Sequence, residues 1–352
     1  MKTWDVAIIG GGIIGLSLAR ELRKHNLTVL VVERGEPGHE ASHAAAGMLA
    51  QCDLSLPPPV EALASASAAL YPEFVHEVED ESGMRVDHRT EGTIAFLEMQ
   101  PATPLLPCMR ALTPEDVARL EPGLAAPKQS AHFLQEGTVD PRALVEASIR
   151  AAKHRNIDIS SGSPVTEIEV NGGRAVAVKT ARTTFRAGII VNCSGAWAGS
   201  ISPVKVPTRP VKGQMLALVC SRRGVVTHVV RAPEVYLVPR TDGRIVVGST
   251  LEEAGFDKRV DPDTIQRMHQ AAANLLPDLG EARMLEAWAG LRPGTPDTLP
   301  ILGGTSLENY FVAAGHYRDG ILLSPITAKL MSQVVHGIKP DLDLTAFSPA
   351  RF

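Results

Sequence analysis

Aromatic residues are scarce in this chain: Phe, Trp and Tyr together make up 4% of its 352 residues. Cysteine is scarcer still. Cys52, Cys108, Cys193 and Cys220 show no CxxC and no paired spacing. That excludes a zinc or iron–sulfur site and reads as reduced thiols without a disulfide frame. No apolar run reaches the length of a membrane span. Val6 to Ala19 is no signal-peptide core, because Asp5 precedes it, glycines break it and no small-residue cleavage site follows. Lys and Arg are nowhere concentrated, and the formal net charge is -4, which argues against a nucleic-acid partner. There is no HExxH, no Ser–His–Asp signature, no metal-ligand cluster, no internal repeat and no low-complexity tail. These absences leave a soluble, cytoplasmic, metal-free protein as the expectation.

What is present suits a sizeable core: 44% of residues are apolar and 21% charged, and the length allows roughly two domains. Asp5-Val-Ala-Ile-Ile-Gly10 reads as a short buried strand. Gly10-Gly-Gly12-Ile13-Ile14-Gly15 follows, then helical spacing to Lys24, then a second buried strand, Leu27–Val32, ending in Glu33. This is the βαβ dinucleotide fingerprint in its expected context. Gly10 permits the tight turn, Gly12 lets a pyrophosphate approach the backbone, and Gly15 lets the helix pack closely. The helix N-terminus presents free N–H groups to the phosphates. Glu33, eighteen residues past Gly15, accepts from both ribose hydroxyls and repels a 2′-phosphate. The cofactor is therefore FAD or NAD rather than NADP.

Further along, Ala41 to Ala50 is small and apolar. It reads equally as a cradle for something flat or charged and as an Ala-rich core helix. Val60 to Ser82 reads as a helix, and composition shifts near Gly83. Thr113-Pro-Glu-Asp116 and Asp140-Pro141 mark capped helix starts. Ile157–Ile159 continues a parallel sheet. Val165–Val170, Arg174–Thr180 and Thr183–Arg186 read as a meander turned by Asn171-Gly-Gly173, and Gly188–Cys193 as a separate buried strand. From Val206 the pattern is β-rich, with a helix expected over Thr264–Leu276. Near the end, a buried strand reaches Gly315 and a helix is expected to start near Gly320, its N-terminus aimed at a cleft and Pro325 in its first turn. Such a terminus stabilises the negative charge of a reduced flavin.

A single GxGxxG suggests that the organic substrate itself is the electron donor, since reductases drawing on NAD(P)H usually carry a second nucleotide unit. An NAD-dependent oxidoreductase and a flavin-binding module without catalysis stay open on these residues.

The fingerprint with Glu33, Ser42-His-Ala-Ala-Ala-Gly-Met-Leu49, Asn192-Cys-Ser-Gly-Ala-Trp197, Val235-Tyr-Leu-Val-Pro-Arg240, Trp288-Ala-Gly-Leu-Arg-Pro-Gly-Thr295 and Gly315-His-Tyr-Arg-Asp-Gly-Ile-Leu-Leu323 together resemble the D-amino-acid-oxidase superfamily of flavoproteins. Within it they are most similar to the glycine-oxidase branch, which serves bacterial thiamin synthesis. The resemblance runs from Asp5 to about Lys339. It implies an α/β (α+β overall) fold: an FAD-binding Rossmann-like domain from residues 1–83, 138–206 and 286–352, and a discontinuous antiparallel-sheet substrate domain from 84–137 and 207–285.

Carried over by position, the resemblance gives Arg292 and Tyr236 the substrate carboxylate and places Arg318 at the substrate and flavin edge, its carbonyl accepting from the amine. A planar guanidinium suits a carboxylate bidentately; the alternative for Arg292 is an ion pair with Glu286 or Asp297. FAD would be held by Gly10, Gly12, Ile13, Ile14, Gly15, Glu33 and Arg34, by Ser42, Ala45, Ala46, Gly47 and Met48, and by Val165 through its backbone. Ser194, Gly195 and Trp197 join them, Trp197 with packing as its favoured role. Arg292, His316, Tyr317, Arg318, Asp319, Gly320, Ile321 and Leu322 complete the set. No cysteine lies between Arg292 and Arg318, so the FAD is expected to be non-covalent. The implied reaction is hydride transfer from the Cα of a small amine to flavin N5, with oxygen as acceptor; a dehydrogenase serving a quinone is the alternative. A homo-oligomer is left open. Two departures bear on side-chain preference: Asp319 stands where relatives often have Asn, read here as a helix cap, and Leu251 where some have Met.

Overall fold

The computed structural model describes residues 2–98, 105–125 and 129–352. Strand Thr3–Ile9 lies between two parallel neighbours, Val29–Val32 and Thr184–Asn192. Asp158–Ser160 extends this sheet beyond Val29–Val32, also in parallel. Helices α1 (Ile13–Lys24), α3 (Pro58–Ser82), α5 (Pro141–His154) and α7 (Ser324–Val335) cover one face, packing Leu16, Leu22, Leu63, Leu144 and Leu330 into one core. The other face buries Ala7, Ile9, Leu30, Val32 and Ile190 under the meander. Burial on both faces is why these strands read as unbroken apolar runs.

The meander corrects one expectation. Its third strand and the buried Gly188–Cys193 segment are a single strand, Thr184–Asn192. The first part of that strand pairs antiparallel with Arg174–Thr180. Its end pairs parallel with Tyr310–Ala314, so the sheet branches there.

A second eight-stranded sheet runs Arg283–Gly294, Arg209–Val219, Arg244–Gly248, Tyr236–Pro239, Val229–Arg231, Thr93–Leu97, Ser130–Leu134 and Met109–Leu112. Its pairs are antiparallel except where Val229–Arg231 meets Thr93–Leu97. The expected boundary at residue 286 falls inside Arg283–Gly294, which lies wholly in this sheet. The pleat sorts the side chains by parity. Leu216, Leu218, Leu237 and Val247 pack with α6 (Pro262–Leu275) on one face. Met215, Val238 and Val246 meet Ala46, Tyr236 and Trp288 on the other.

Caps set several helix starts. Thr113 and Asp116 form the reciprocal capping box of α4 (Pro114–Leu120). The Asp140 carboxylate accepts from the Arg142 N–H, 2.9 Å. Capped by Asp261, α6 begins two residues before the expected start, because Pro262 takes the first helical position. Among the described residues no helix is long and apolar enough to cross a membrane.

The cysteine expectation is overturned. Cys52 and Cys108 pair as a disulfide, with Cα atoms 6.2 Å apart, while Cys193 and Cys220 stay free. Fifty-six residues separate the two in sequence, so local spacing carries no trace of the pair. Gln51 to Leu56 and the start of strand Met109–Leu112 meet only through the tertiary fold.

Candidate active site

A cavity of about 640 Å³ opens between the two large sheets, with Glu33 toward one end and Arg292 toward the other. At the first end Gly10 adopts φ +105°, a conformation that favours glycine. Gly12 begins α1 with no side-chain cap, so the helix N-terminus keeps donors for a ligand. The Ile13 N–H donates to the Ser42 hydroxyl, 3.0 Å. Buried Glu33 accepts from the N–H groups of Gly11 (2.7 Å) and Gly35 (2.8 Å), which hold its carboxylate at the cavity wall. Ile14, Arg34, Val165, Ser194, Gly195 and Trp197 line this end. The Arg34 guanidinium lies 4.3 Å from the Trp197 ring centroid, and Phe256 stacks on the same ring. Gly15 does not line the cavity; it packs against the Gly10 carbonyl, where a side chain would collide.

The small-residue stretch does not form a long Ala-rich core helix. Ala41–Ala44 is a four-residue helix, α2, and Met48–Leu49 a short strand. Ala45, Ala46, Gly47 and Met48 line the cavity wall. Trp288 of the second sheet and Arg240, just past its strand Tyr236–Pro239, hold this stretch by its carbonyls: Trp288 Nε1 donates to Ala44 O and Arg240 to Ala46 O.

After strand Tyr310–Ala314 the chain turns through Gly315 to Leu323, and α7 begins only at Ser324. The expected start at Gly320 is therefore corrected. Asp319 does not cap this helix either: the residue at the cap position is Leu323, with no side-chain cap. The turn instead leaves the N–H groups of Gly320, Ile321 and Leu322 without partners among the described residues. Such consecutive free donors make an anion-binding concavity. The carbonyls on the opposite side are held by α3, Tyr71 donating to Ile321 O (3.0 Å) and Ser67 to Leu322 O (2.6 Å). The Tyr317 N–H donates to Pro293 O, 3.1 Å, tying the turn to the strand that carries Arg292. Tyr317 itself sits at φ +49°, uncommon for a bulky residue. The Arg318 carbonyl accepts no hydrogen bond among the described residues. His316, Tyr317, Arg318, Asp319, Gly320 and Ile321 line the cavity; the Leu322 side chain is buried in the core behind it. Burial pushes the His316 imidazole down to about 3, so it is neutral at ordinary pH.

At the other end, register places Arg292, Gly213, Met215, Trp288 and Tyr236 on one face of the second sheet. The guanidinium of Arg292 crosses directly over Gly213, where any side chain would strike it. It donates to Thr250 O (3.1 Å), Lys212 O (3.4 Å) and the Ser249 hydroxyl (2.6 Å). Neither alternative acid holds it. Glu286 pairs with Arg142 and Asp297 with Arg351. Among the described residues Arg292 has no carboxylate within ion-pair distance, whereas buried Lys212 beside it is matched by Glu252 at 3.4 Å. Burial pushes the Tyr236 phenol up, against the pull of Ser249 and Arg292 beside it.

The cavity rim carries a charged group that sequence reasoning missed. Arg231 donates to Asp53 at 2.6 Å and reaches buried Glu136 at 3.5 Å. Glu136 also accepts from the N–H of Cys52 (2.9 Å), so the disulfide abuts this cluster. Burial pushes the Asp319 carboxyl up to about 6; Arg318 and Arg231 oppose that shift, and Asp53 adds to it. Ser249, Thr250, Ser67 and Tyr71 were also missed. Each acts across a long sequence gap, with no motif of its own.

A dinucleotide-type helix start, an anion-seeking turn and an unmatched cation in one cavity define a flavin-dependent oxidoreductase. The profile of the family described as FAD dependent oxidoreductase (DAO) matches residues 5–334. The chain belongs to that family, and its cofactor is FAD. The site fits the cofactor, with uncapped N–H groups of α1 beside Glu33 for the dinucleotide and the free donors of Gly320 to Leu322 for an anionic ring edge. A glycine oxidase of Pseudomonas aeruginosa is 33% identical over 361 residues, spanning 98% of both chains. The bifunctional protein ThiO/ThiG of Synechocystis is 38% identical over 99% of this chain, which spans about half of that protein's length. The crystal structure of glycine oxidase from Geobacillus kaustophilus superposes with a TM-score of 0.93 at 31% identity, covering 100% of both chains.

Proposed function

We propose that this protein oxidises glycine and other small amines, such as sarcosine and small D-amino acids, to an imine that hydrolyses to the 2-oxo acid and ammonia, or methylamine in the case of sarcosine. Oxygen is the acceptor and hydrogen peroxide the second product. The setting is the supply of the thiazole precursor in thiamin synthesis, which the names of the ThiO/ThiG relatives support. The observation that carries the reading is Arg292: a half-buried cation without a carboxylate partner among the described residues, facing the same cavity as the dinucleotide fingerprint.

In this reading Arg292 and Tyr236 bind the substrate carboxylate, and the free Arg318 carbonyl accepts from the amine. Two anchored groups fix the orientation of the Cα–H, which is a large part of the catalysis. Glu33 and the start of α1 hold the adenosine and pyrophosphate half of FAD. The turn from His316 to Leu322 holds the ring, with its donors supporting negative charge. Bound FAD supplies the two-electron acceptor for the Cα hydride. In this reading residues 1–83, 138–206 and the part of 286–352 beyond strand Arg283–Gly294 serve the cofactor, and 84–137, 207–285 and that strand the substrate.

Anaerobic bleaching of the purified flavoprotein tests the reading against glycine, sarcosine, D-alanine, D-proline and their L-isomers, followed by peroxide detection in air. Bleaching by glycine with stoichiometric peroxide is expected. Turnover with a dye and none with oxygen would transfer the protein to quinone-linked dehydrogenases, and flavin left oxidised by every amine would remove the catalytic role.

A further inference from the structure

Ser249 is a residue to which no motif draws attention. It directly follows strand Arg244–Gly248, and Gly248 pairs across the sheet with both Met215 and Tyr236. That register brings the Ser249 hydroxyl between two groups the proposed function uses. Its oxygen accepts from Arg292 Nη2 at 2.6 Å, and it lies beside the Tyr236 phenol. The adjoining Gly248 leaves room for the Tyr236 ring, which a side chain there would strike.

The donors of Arg292 can be accounted for one by one. A guanidinium carries five N–H groups. Thr250 O and Lys212 O take up Nη1, and the Ser249 hydroxyl takes one hydrogen of Nη2. Two donors remain, on Nε and Nη2. A carboxylate engages two N–H groups of one guanidinium in parallel, so what the protein leaves free is what the ligand requires. The support behind Nη1 is rigid in its own right. The Thr250 hydroxyl donates to Glu252, and Gln214 Nε2 donates to the same oxygen at 2.8 Å. On the Nη2 side Ser249 is the single protein partner among the described residues.

We propose that Ser249 is a positioning residue for substrate binding: its hydroxyl fixes the guanidinium plane of Arg292 against Gly213 and beside Tyr236, with two donors presented to a carboxylate. Without that hydroxyl, the Nη2 side loses its closest hydrogen-bond acceptor, and the ligand must supply ordering that the fold otherwise provides in advance. The effect falls on carboxylate affinity rather than on the reaction after binding. This inference rests on the assignment of Arg292 to the substrate carboxylate.

The test uses FAD-loaded Ser249→Ala, Ser249→Gly and Ser249→Thr proteins. Glycolate, which carries the carboxylate of glycine without its amine, is titrated by its perturbation of the flavin absorbance. Glycine reduction is followed anaerobically, and FAD affinity is measured as a control. In the Ala and Gly variants the Kd for glycolate and the concentration of glycine giving half-maximal reduction rise about tenfold, on the scale of one hydrogen bond to a charged group. The limiting reduction rate stays within about threefold, FAD affinity is unchanged, and Thr restores binding. Affinities within twofold of the parent in both variants would overturn the proposal. So would parallel loss of FAD and glycolate binding that Thr does not rescue, because that is a folding effect. A parent protein that binds glycolate but is not bleached by any amino acid removes the oxidase reading, and the glycolate titration still decides the role of Ser249. A parent protein that does not bind glycolate removes Arg292 from carboxylate recognition, and this inference with it.

Discussion

At the scale of single residues, charge matching decides what the site can do. Lys212 is matched by Glu252, whereas its neighbour Arg292 is left with neutral acceptors only among the described residues. Arg292→Ala is expected to lower kcat/KM for glycine by about 3 kcal/mol, roughly a hundredfold, as removal of one partner from a buried charge pair does. Unchanged kcat/KM in steady-state assays would remove it from the site. Asp319 is the opposite case, a carboxyl whose charge the fold disfavours. Its folded pKa of about 6 lies above the ordinary 3.8. The stability it contributes is therefore present below pH 3.8 and lost as the pH rises through 6. Asp319→Asn should raise stability at pH 8 by about 1 kcal/mol, allowing for partial exposure, and by nothing at pH 3.5. Thermal unfolding at the two pH values reads the difference; a gap of equal size at both would show that charge is not the cause. Arg292 could be singled out from its Gly-Leu-Arg-Pro-Gly setting. Ser249 could not, because only cross-strand register brings it there.

At the scale of elements, the flavin-side turn depends on a helix that is distant in sequence. Ser67 and Tyr71 of α3 hold the carbonyls of Leu322 and Ile321, so the N–H groups of the same turn face the cavity. Tyr71→Phe removes one of these buried bonds. A weakening of FAD binding by about 1 kcal/mol, roughly fivefold, is expected in a fluorescence titration. Unaltered affinity would mean that Ser67 and packing hold the turn alone. Helix starts at Pro114 and Pro141 were legible because their caps are local, one side chain reaching two or three residues onward. The start of α7 was not. Gly320 looks like a helix entry, but the chain, which turns at Tyr317 with φ +49°, stays in a turn for another four residues and leaves three N–H donors unpaired among the described residues.

At the scale of the whole molecule, the cavity belongs to neither large sheet alone. Gly10 and Glu33 come from the first, Tyr236 and Arg292 from the second. A ligand that fills it ties the two together, so FAD should stabilise the protein by linkage. Stripping the cofactor should lower the Tm, and re-addition should restore it progressively, by about 2.7 kcal/mol at a hundredfold excess over Kd. A Tm that ignores FAD concentration would place the cofactor outside the cooperative core.

The amino-acid sequence by itself determined the features whose physics is local. These are the strand–glycine–helix–strand opening with its terminal acid, the capped helices, and the β-rich pattern that marks the second sheet. Tertiary structure alone decided the rest. It joined Cys52 to Cys108, set Arg231 on Asp53, and turned Ser67 and Tyr71 onto the carbonyls of residues some 250 positions away. It also laid Ser249 against Arg292. The reason is the same in each case: these partners are selected by sheet register and helix packing, and the energy that selects them comes from burying cores that no short segment contains.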